Sequence, residues 1–449
     1  MFPRSRNGGA RAREPRPVRA PCLLLVLVVL SAALVGCGGQ QRKLVYWASN
    51  QGSSTAQDQQ VLRAELARFT ARTGIPVEIE VISWNDLLNR ILGAATSGTG
   101  PDVVNVGNTW SASLQATGAF VPFDAAAMDR LGGRGRFLEA AMSSTGVPGR
   151  PPAAVPLYGT SYAVFYDKRR FREAGITAPP RDWAEFLAVA RKLTDPAHDR
   201  FGLTVPGASY TENAHFAFLF GVQHGAHFVD QQGHTRFTSP AAVAAVQRYV
   251  ELMSCQHVVR PDDAEVSSVP EAAGDFTSGR AAMLIAQNSA LPPILDSDMP
   301  AEDVGVFPLP LPNPLPPGGN PVRTHVGGSN VAVLRDSPRR AEAMELVRFL
   351  TSRRTQVDLN RAYGSLPVVK DAYDDPAFST GNAAVFGRLL AQESAPVPMI
   401  PDESRFETTV GAGVRDLFAR AAMGQRVDRE QVREALADAE QQMRGAGGS

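Results

Sequence analysis

The chain has 449 residues, 45 basic and 45 acidic side chains, 44% hydrophobic residues and three cysteines. That length suits two folded lobes better than one. The balanced charge, with no cluster of basic residues along an element, gives no footing for nucleic acid, and three cysteines exclude an extensive disulfide framework.

The first twenty residues carry Arg4, Arg6, Arg11, Arg13, Arg16 and Arg19 against Glu14, and Cys22 to Val35 then run without a charge. An apolar run of this size spans about 21 Å as a helix, short of a hydrocarbon core of roughly 30 Å, so it reads as an export signal and not a permanent span. The segment ends in Leu34-Val35-Gly36-Cys37, which resembles a bacterial lipobox. That resemblance implies removal of residues 1–36 as a signal peptide and lipidation of Cys37. Six basic residues and one acidic residue leave with the signal, so 39 basic and 44 acidic side chains remain, a formal −5. Cys255, alone in an oxidising compartment, is expected to be a buried thiol.

Leu44-Val45-Tyr46-Trp47 reads as a strand, and Leu62, Leu66 and Phe69 mark one face of a helix that Gly74 can end. Val77, Ile79 and Val81 alternate as a second strand. Leu87, Ile91 and Ala95 form a further helical face, and Val103 to Val106 a third strand. Strict alternation of strand and helix predicts a mostly parallel sheet covered by helices. Residues 181–300 are richer in helical spacing. Pro/Gly-rich stretches at 147–156 and 307–321 are candidate connections between lobes.

Catalytic signatures are missing: there is no G-x-S-x-G elbow, H-E-x-x-H pair or Walker lysine. His215, His224, His227 and His234 raise a metal-receptor reading, since His224 and His227 stand three apart, but without a third ligand at a recognisable spacing they do not define a metal site. No enzyme, cofactor or metal is expected.

Four stretches in fixed order carry a resemblance: SGTGPDVVNVGNTW at 97–110, VPLYGTSYAVFYDKRRFREAGITAPPRDWAEF at 155–186, DFTSGRAAMLIAQNSAL at 275–291, and VGGSNVAVL at 326–334 followed by GSLPV at 364–368. Together they resemble the extracellular solute-binding proteins, family 1, that serve carbohydrate ABC importers, and within them the actinobacterial sugar- and amino-sugar-binding lipoproteins. The resemblance implies an α/β fold of the periplasmic-binding-protein-like type II class, with two discontinuous α/β lobes, a hinge and a ligand cleft between them. It places lobe 1 at 37–157 and 309–365 and lobe 2 at 158–308 and 366–449. Function would be capture of a mono- or disaccharide by hinge closure, with a glycerophosphodiester receptor as the alternative within the family and an anchored hydrolase as a more distant one.

The implied partners are the carbohydrate, the permease subunits with their cytoplasmic ATPase, and the extracytoplasmic face of the bacterial cell membrane through the lipid anchor; the chain would act as a monomer. Sugar recognition needs amides, hydroxyls and a few aromatic rings. Projected onto this sequence, the cleft residues are Asn50 and Gln51 after the first strand, Asn108 and Trp110 after the third, and Tyr158 and Thr160 at the first crossing. In the second lobe they are Trp183, Glu212, Asn213, Gln287 and Asn288. Gly328 and Ser329 would bring backbone close to the ligand, and Arg405 would reach the cleft from the late PDESRF segment. SYTENAHF at 209–216 departs from the family's tryptophan-containing pattern, and Ser365 stands where a tyrosine is frequent.

Overall fold

A computed structural model describes residues 42–52, 54–230 and 233–444. The export signal and Cys37 lie outside the described residues, and among those described no helix is long and apolar enough to cross a membrane. Strand β1 (Leu44–Ser49), helix α1 (Thr55–Thr73), β2 (Val77–Ile82), helix α2 (Trp84–Ser97) and β3 (Val103–Gly107) follow the order read from the sequence. Ser54 caps α1 by accepting from the Gln57 amide, and Gly74 ends it in the left-handed region with φ 71°. Leu62, Leu66 and Phe69 are buried beneath the sheet as their spacing requires. In α2 the inward face is Leu87, Ile91 and Ala94, with Ala95 half-buried, because three residues rather than four complete that turn toward the core.

Short helix α3 (Ser111–Ala116) follows β3, and β4 (Val155–Thr160) passes through Ser161 into β5 (Tyr162–Asp167). Helices α4 (Trp183–Lys192), α5 (Tyr210–Gln223) and α6 (Pro240–Ser254) precede strands β6 (Met283–Gln287) and β7 (Val304–Phe307). The chain then returns through β8 (Thr324–His325) and β9 (Gly327–Val333), and ends with α7 (Gly381–Gln392), β10 (Ser394–Ala395), α8 (Glu403–Ala422) and α9 (Arg429–Arg444).

Two main sheets result. The first has the order β2-β1-β3-β9-β4, with β9 antiparallel to both its neighbours and the other four strands running one way. The second, β6-β5-β7, is antiparallel throughout. The expectation of a mostly parallel sheet therefore holds for the first alone. The second is built from a strand entering from β4 and two returning strands, a route that needs no parallel crossover helix. Its core is aromatic: Tyr162, Phe216, Phe220 and Tyr249 pack in a chain of ring contacts, and Phe418 of α8 meets Tyr249 at 4.9 Å. Cys255 corrects the sequence reading. It lies exposed just past α6, beyond the last inward-facing residue of that helix, Met253.

The passages between the sheets are tied to one another. The Ser161 amide donates to Asn288 Oδ1 at 2.9 Å, Asn288 Nδ2 donates to the Gly364 carbonyl at 2.7 Å, and Gly159 and Leu366 exchange two backbone bonds at 2.8 Å. The Tyr162 amide donates to Thr324 Oγ1 at 2.7 Å. Short strands β8 and β10 pair in parallel beside them.

Candidate functional site

The carboxyl ends of β1 and β3 carry the first group of polar side chains. Asp58, fully buried on α1, organises the loop after β1: its carboxylate accepts from the Asn50 side chain, from the Gln51 amide at 3.2 Å and from the Gly52 amide at 2.8 Å. Gln51 Nε2 donates in turn to Ser49 Oγ at 2.8 Å. After β3, Asn108 donates through Nδ2 to the Val326 carbonyl at 2.7 Å, and its amide donates to the Gly328 carbonyl at 3.3 Å. Trp110, half-buried, meets Trp84 edge-on at 5.4 Å. It lies so close over Gly107 that a Cβ there would come within 2.8 Å of the indole, so this ring position requires glycine.

From the second sheet system come two helix starts. Ser209 caps α5, whose first turns carry Glu212 and His215 three residues apart on one face; α8 opens with Glu403 and Glu407 four apart on one face. Tyr162 Oη donates to Glu212 Oε2 at 2.7 Å and lies 3.0 Å from His215 Nδ1. His215 Nε2 is 3.0 Å from Glu407 Oε1. The His325 ring of β8 packs 4.1 Å from that of His215, and both its nitrogens lack a side-chain or backbone partner of good geometry. Glu403 is 0% exposed, and neither of its oxygens makes a well-formed hydrogen bond, although Glu407 and Thr109 face it.

Thr109 follows β3, so Glu403 touches the first sheet system from the second. Ser113 Oγ of α3, donating to the Pro401 carbonyl at 2.5 Å, makes the same crossing.

Burial sets the electrostatics of this cluster. It pushes the Glu403 carboxyl well above the ordinary carboxylate range, and the facing Glu407 adds to the shift. Glu212 is raised by burial as well, against the opposing pull of His215 and Tyr162. For His215 burial opposes the charged ring, but the hydrogen bond and charge of Glu407, with Glu212 behind it, hold its pKa above that of free imidazole. His325 is driven well below by burial and then by the neighbouring His215. The cluster thus favours the charged form of His215, held by Glu407, and the neutral forms of Glu403 and of His325, whose ring lies tilted against that of His215. Among the described residues Glu212, Glu403 and Glu407 make only one ion pair, Glu407 with His215. No group of three or more His, Cys, Asp or Glu there is disposed to hold a metal ion.

The residues singled out from sequence divide accordingly. Asn50, Gln51, Asn108 and Trp110 line the strand ends, Glu212 belongs to the buried cluster, and Gln287 faces the Tyr162 hydroxyl, opposite it in the β5–β6 ladder. Thr160 lies against Gly327, while Tyr158 lies beneath Gly328 with a buried hydroxyl that has no partner. Ser329 is buried in β9, its Oγ also unpartnered. Asn288 is spent on the passage between sheets. Trp183 packs on Phe186 and Phe220 at 5.2 Å each, and Asn213 is fully buried between the Gly207 carbonyl and the Tyr249 hydroxyl. Arg405 points away from the cluster and donates to the Gln442 carbonyl at 2.8 Å.

Sequence reading passed over Thr109, His325, Glu403 and Glu407, and weighed His215 only as one of four histidines open to a metal-receptor reading. The signal for two of them was present: Glu403 and Glu407 flank Arg405 at helical spacing, and a residue two positions along a helix faces nearly the opposite way.

A two-lobed α/β body in which the end of β3, through Thr109, meets a buried polar cluster at the starts of α5 and α8 is compatible with a ligand-capturing receptor. The comparisons agree. Residues 52–357 match the model of the bacterial extracellular solute-binding protein family, and the chain belongs to that family. The diacetylchitobiose-binding protein DasA of Streptomyces coelicolor is 25% identical over 351 residues, covering 77% of this chain and 78% of that one. The sn-glycerol-3-phosphate-binding periplasmic protein UgpB of Brucella abortus is 25% identical over 372 residues, 79% and 81% of the two chains. The maltose-bound MalE3 of T. maritima superposes with a TM-score of 0.73 at 23% identity, covering 90% of this chain and 99% of that one. The fold is the periplasmic-binding-protein-like type II class, two discontinuous lobes about a hinge and cleft.

Proposed function

We propose that the protein is the substrate-binding component of an ABC importer that captures a carbohydrate by closing its lobes and hands it to a permease, without chemical turnover. What supports this reading is the match of residues 52–357 to the solute-binding family together with amide and aromatic side chains at the strand ends, Asn50, Gln51, Asn108 and Trp110, groups suited to sugar hydroxyls and ring faces. A ligand touching both lobes binds the closed form better, and that difference drives closure.

Lobe limits at 157/158, 308/309 and 365/366 belong to this proposal. Lipid anchoring at Cys37, a monomeric state and residence at the extracytoplasmic membrane face complete it. A phosphodiester ligand is disfavoured, because the cluster is rich in carboxylates and Arg405 is directed elsewhere.

A thermal-shift screen of the purified protein against mono- and disaccharides, amino sugars and glycerophosphodiesters tests the reading. Sugars should raise the melting temperature and be recovered unchanged; a shift with glycerophosphodiesters alone, or consumption of the sugar, overturns it. For the anchor, Cys37→Ala should abolish metabolic fatty-acid labelling, and persistent labelling would refute the assignment.

A further inference from the structure

We propose that Asp58 is a positioning residue: it turns the side-chain amides of the loop after β1 so that Asn50 and Gln51 meet the ligand as acceptors alone, and the captured sugar is held there by protons it donates. This rests on the carbohydrate reading above, which places both residues against the ligand.

Asp58 falls in phase with Leu62, Leu66 and Phe69 on the inward face of α1, where an apolar side chain would continue the stripe, and it is 0% exposed. A carboxylate in such a place is unfavourable unless donors surround it. Its donors are N–H groups of the loop. The Asn50 side chain and the Gln51 amide, at 3.2 Å, share Oδ2, and the Gly52 amide donates to Oδ1 at 2.8 Å. A Cβ on residue 52 would come 3.1 Å from that Oδ1, so glycine is what lets this amide approach.

These bonds decide which end of each side-chain amide is left over. An amide has one end that donates and one that accepts. Asn50 Nδ2 is committed to two groups that can only accept, the Asp58 carboxylate and the Gly52 carbonyl at 3.1 Å, so its oxygen cannot take that place. Gln51 Nε2 is committed to Ser49 Oγ at 2.8 Å and to the Asn50 main-chain carbonyl at 3.2 Å, again a pure acceptor. Among the described residues no donor reaches Asn50 Oδ1 or Gln51 Oε1, and neither oxygen is sealed from solvent.

A pair of oxygens fixed in this way selects by hydrogen-bond polarity. A sugar hydroxyl donates to them, whereas an ether, phosphate or carboxylate oxygen would set lone pair against lone pair. An amide held by nothing could present either end. Asp58 removes that choice before the ligand arrives, and the loop need not be ordered on binding.

Calorimetry on the purified protein tests this, using the mono- and disaccharides of the thermal-shift screen with maltose and N,N′-diacetylchitobiose among them. Asp58→Asn and Asn50→Asp should each weaken sugar binding by about tenfold or more, the first by releasing the loop and the second by setting two carboxylates face to face. The exchange variant Asn50→Asp/Asp58→Asn should bind within about fivefold of wild type, since a carboxylate at position 50 keeps the acceptor and has no N–H to offer a ligand. Leu436→Ala, at a buried position of α9, should lower the melting temperature and leave the sugar affinity unchanged, which separates positioning from stability. If the single variants fail to fold, hydrogen exchange of the wild type is the readout: the Gln51 and Gly52 amides should be protected before any sugar is added. Wild-type affinity in Asp58→Asn, an exchange variant as weak as Asn50→Asp, equal weakening by Leu436→Ala, or unprotected loop amides overturns the proposal and leaves the carbohydrate reading intact. A wild type that binds no sugar of the panel overturns both.

Discussion

Trp110 stands half-buried at the start of α3, meeting Trp84 edge-to-face and lying close over the Gly107 backbone, and in the proposed function it is the ring on which a sugar packs. Trp110→Ala should weaken carbohydrate binding by about 1 to 3 kcal/mol, roughly ten- to a hundredfold in Kd by calorimetry. A second buried side chain speaks to stability. Asp263 is 1% exposed and accepts from the Val205 amide at 3.1 Å; burial raises its pKa to about 7 despite that bond and the nearby Arg260. A folded pKa above the unfolded value means that its stabilising contribution is complete below about pH 4 and is lost as the pH rises through about 7. Melting temperatures across that interval should fall less steeply for Asp263→Asn than for the wild type, and parallel curves would count against this assignment.

Among the elements, β9 is the most constrained. It separates β3 from β4 and runs against both, and at Gly328 φ is +130° while a Cβ would come 2.0 Å from the Tyr158 carbonyl oxygen. Gly328→Ala should therefore cost about 2 kcal/mol or more in denaturant unfolding. Ser329→Ala next to it, which removes a buried hydroxyl without a partner, should be neutral or slightly stabilising.

The same elements show what a sequence discloses. The order β1-α1-β2-α2-β3 was legible, because apolar periods of two and of three to four alternate there without interruption. The direction of β9 was not, since side-chain alternation is identical for a strand of either sense. The PDESRF segment falls at the start of α8; Arg405 was chosen there by resemblance, whereas the charged side chains that the helix buries are Glu403 and Glu407. Asn288 misled for a different reason: a polar residue in a loop after a strand has the same appearance whether it meets a ligand or fastens a hinge.

At the scale of the molecule, contacts at Ser113–Pro401 and Thr109–Glu403 tie the end of β3 and the start of α3 to α8 and the loop before it. Saturating sugar should lower the radius of gyration in solution scattering as the population moves to the closed form, and an unchanged value would argue for a site that needs no closure. The position of β9 also bears on how the protein is made. Val103 waits for Val333 as its ladder partner, and β4 has no other neighbour in the first sheet. During synthesis the first sheet is therefore missing an inner strand until all three strands of the second have emerged, and pairing over so long a separation is slow. A chain that completes its first lobe this late remains threadable for most of its translation, a property suited to passage through a secretion channel before folding.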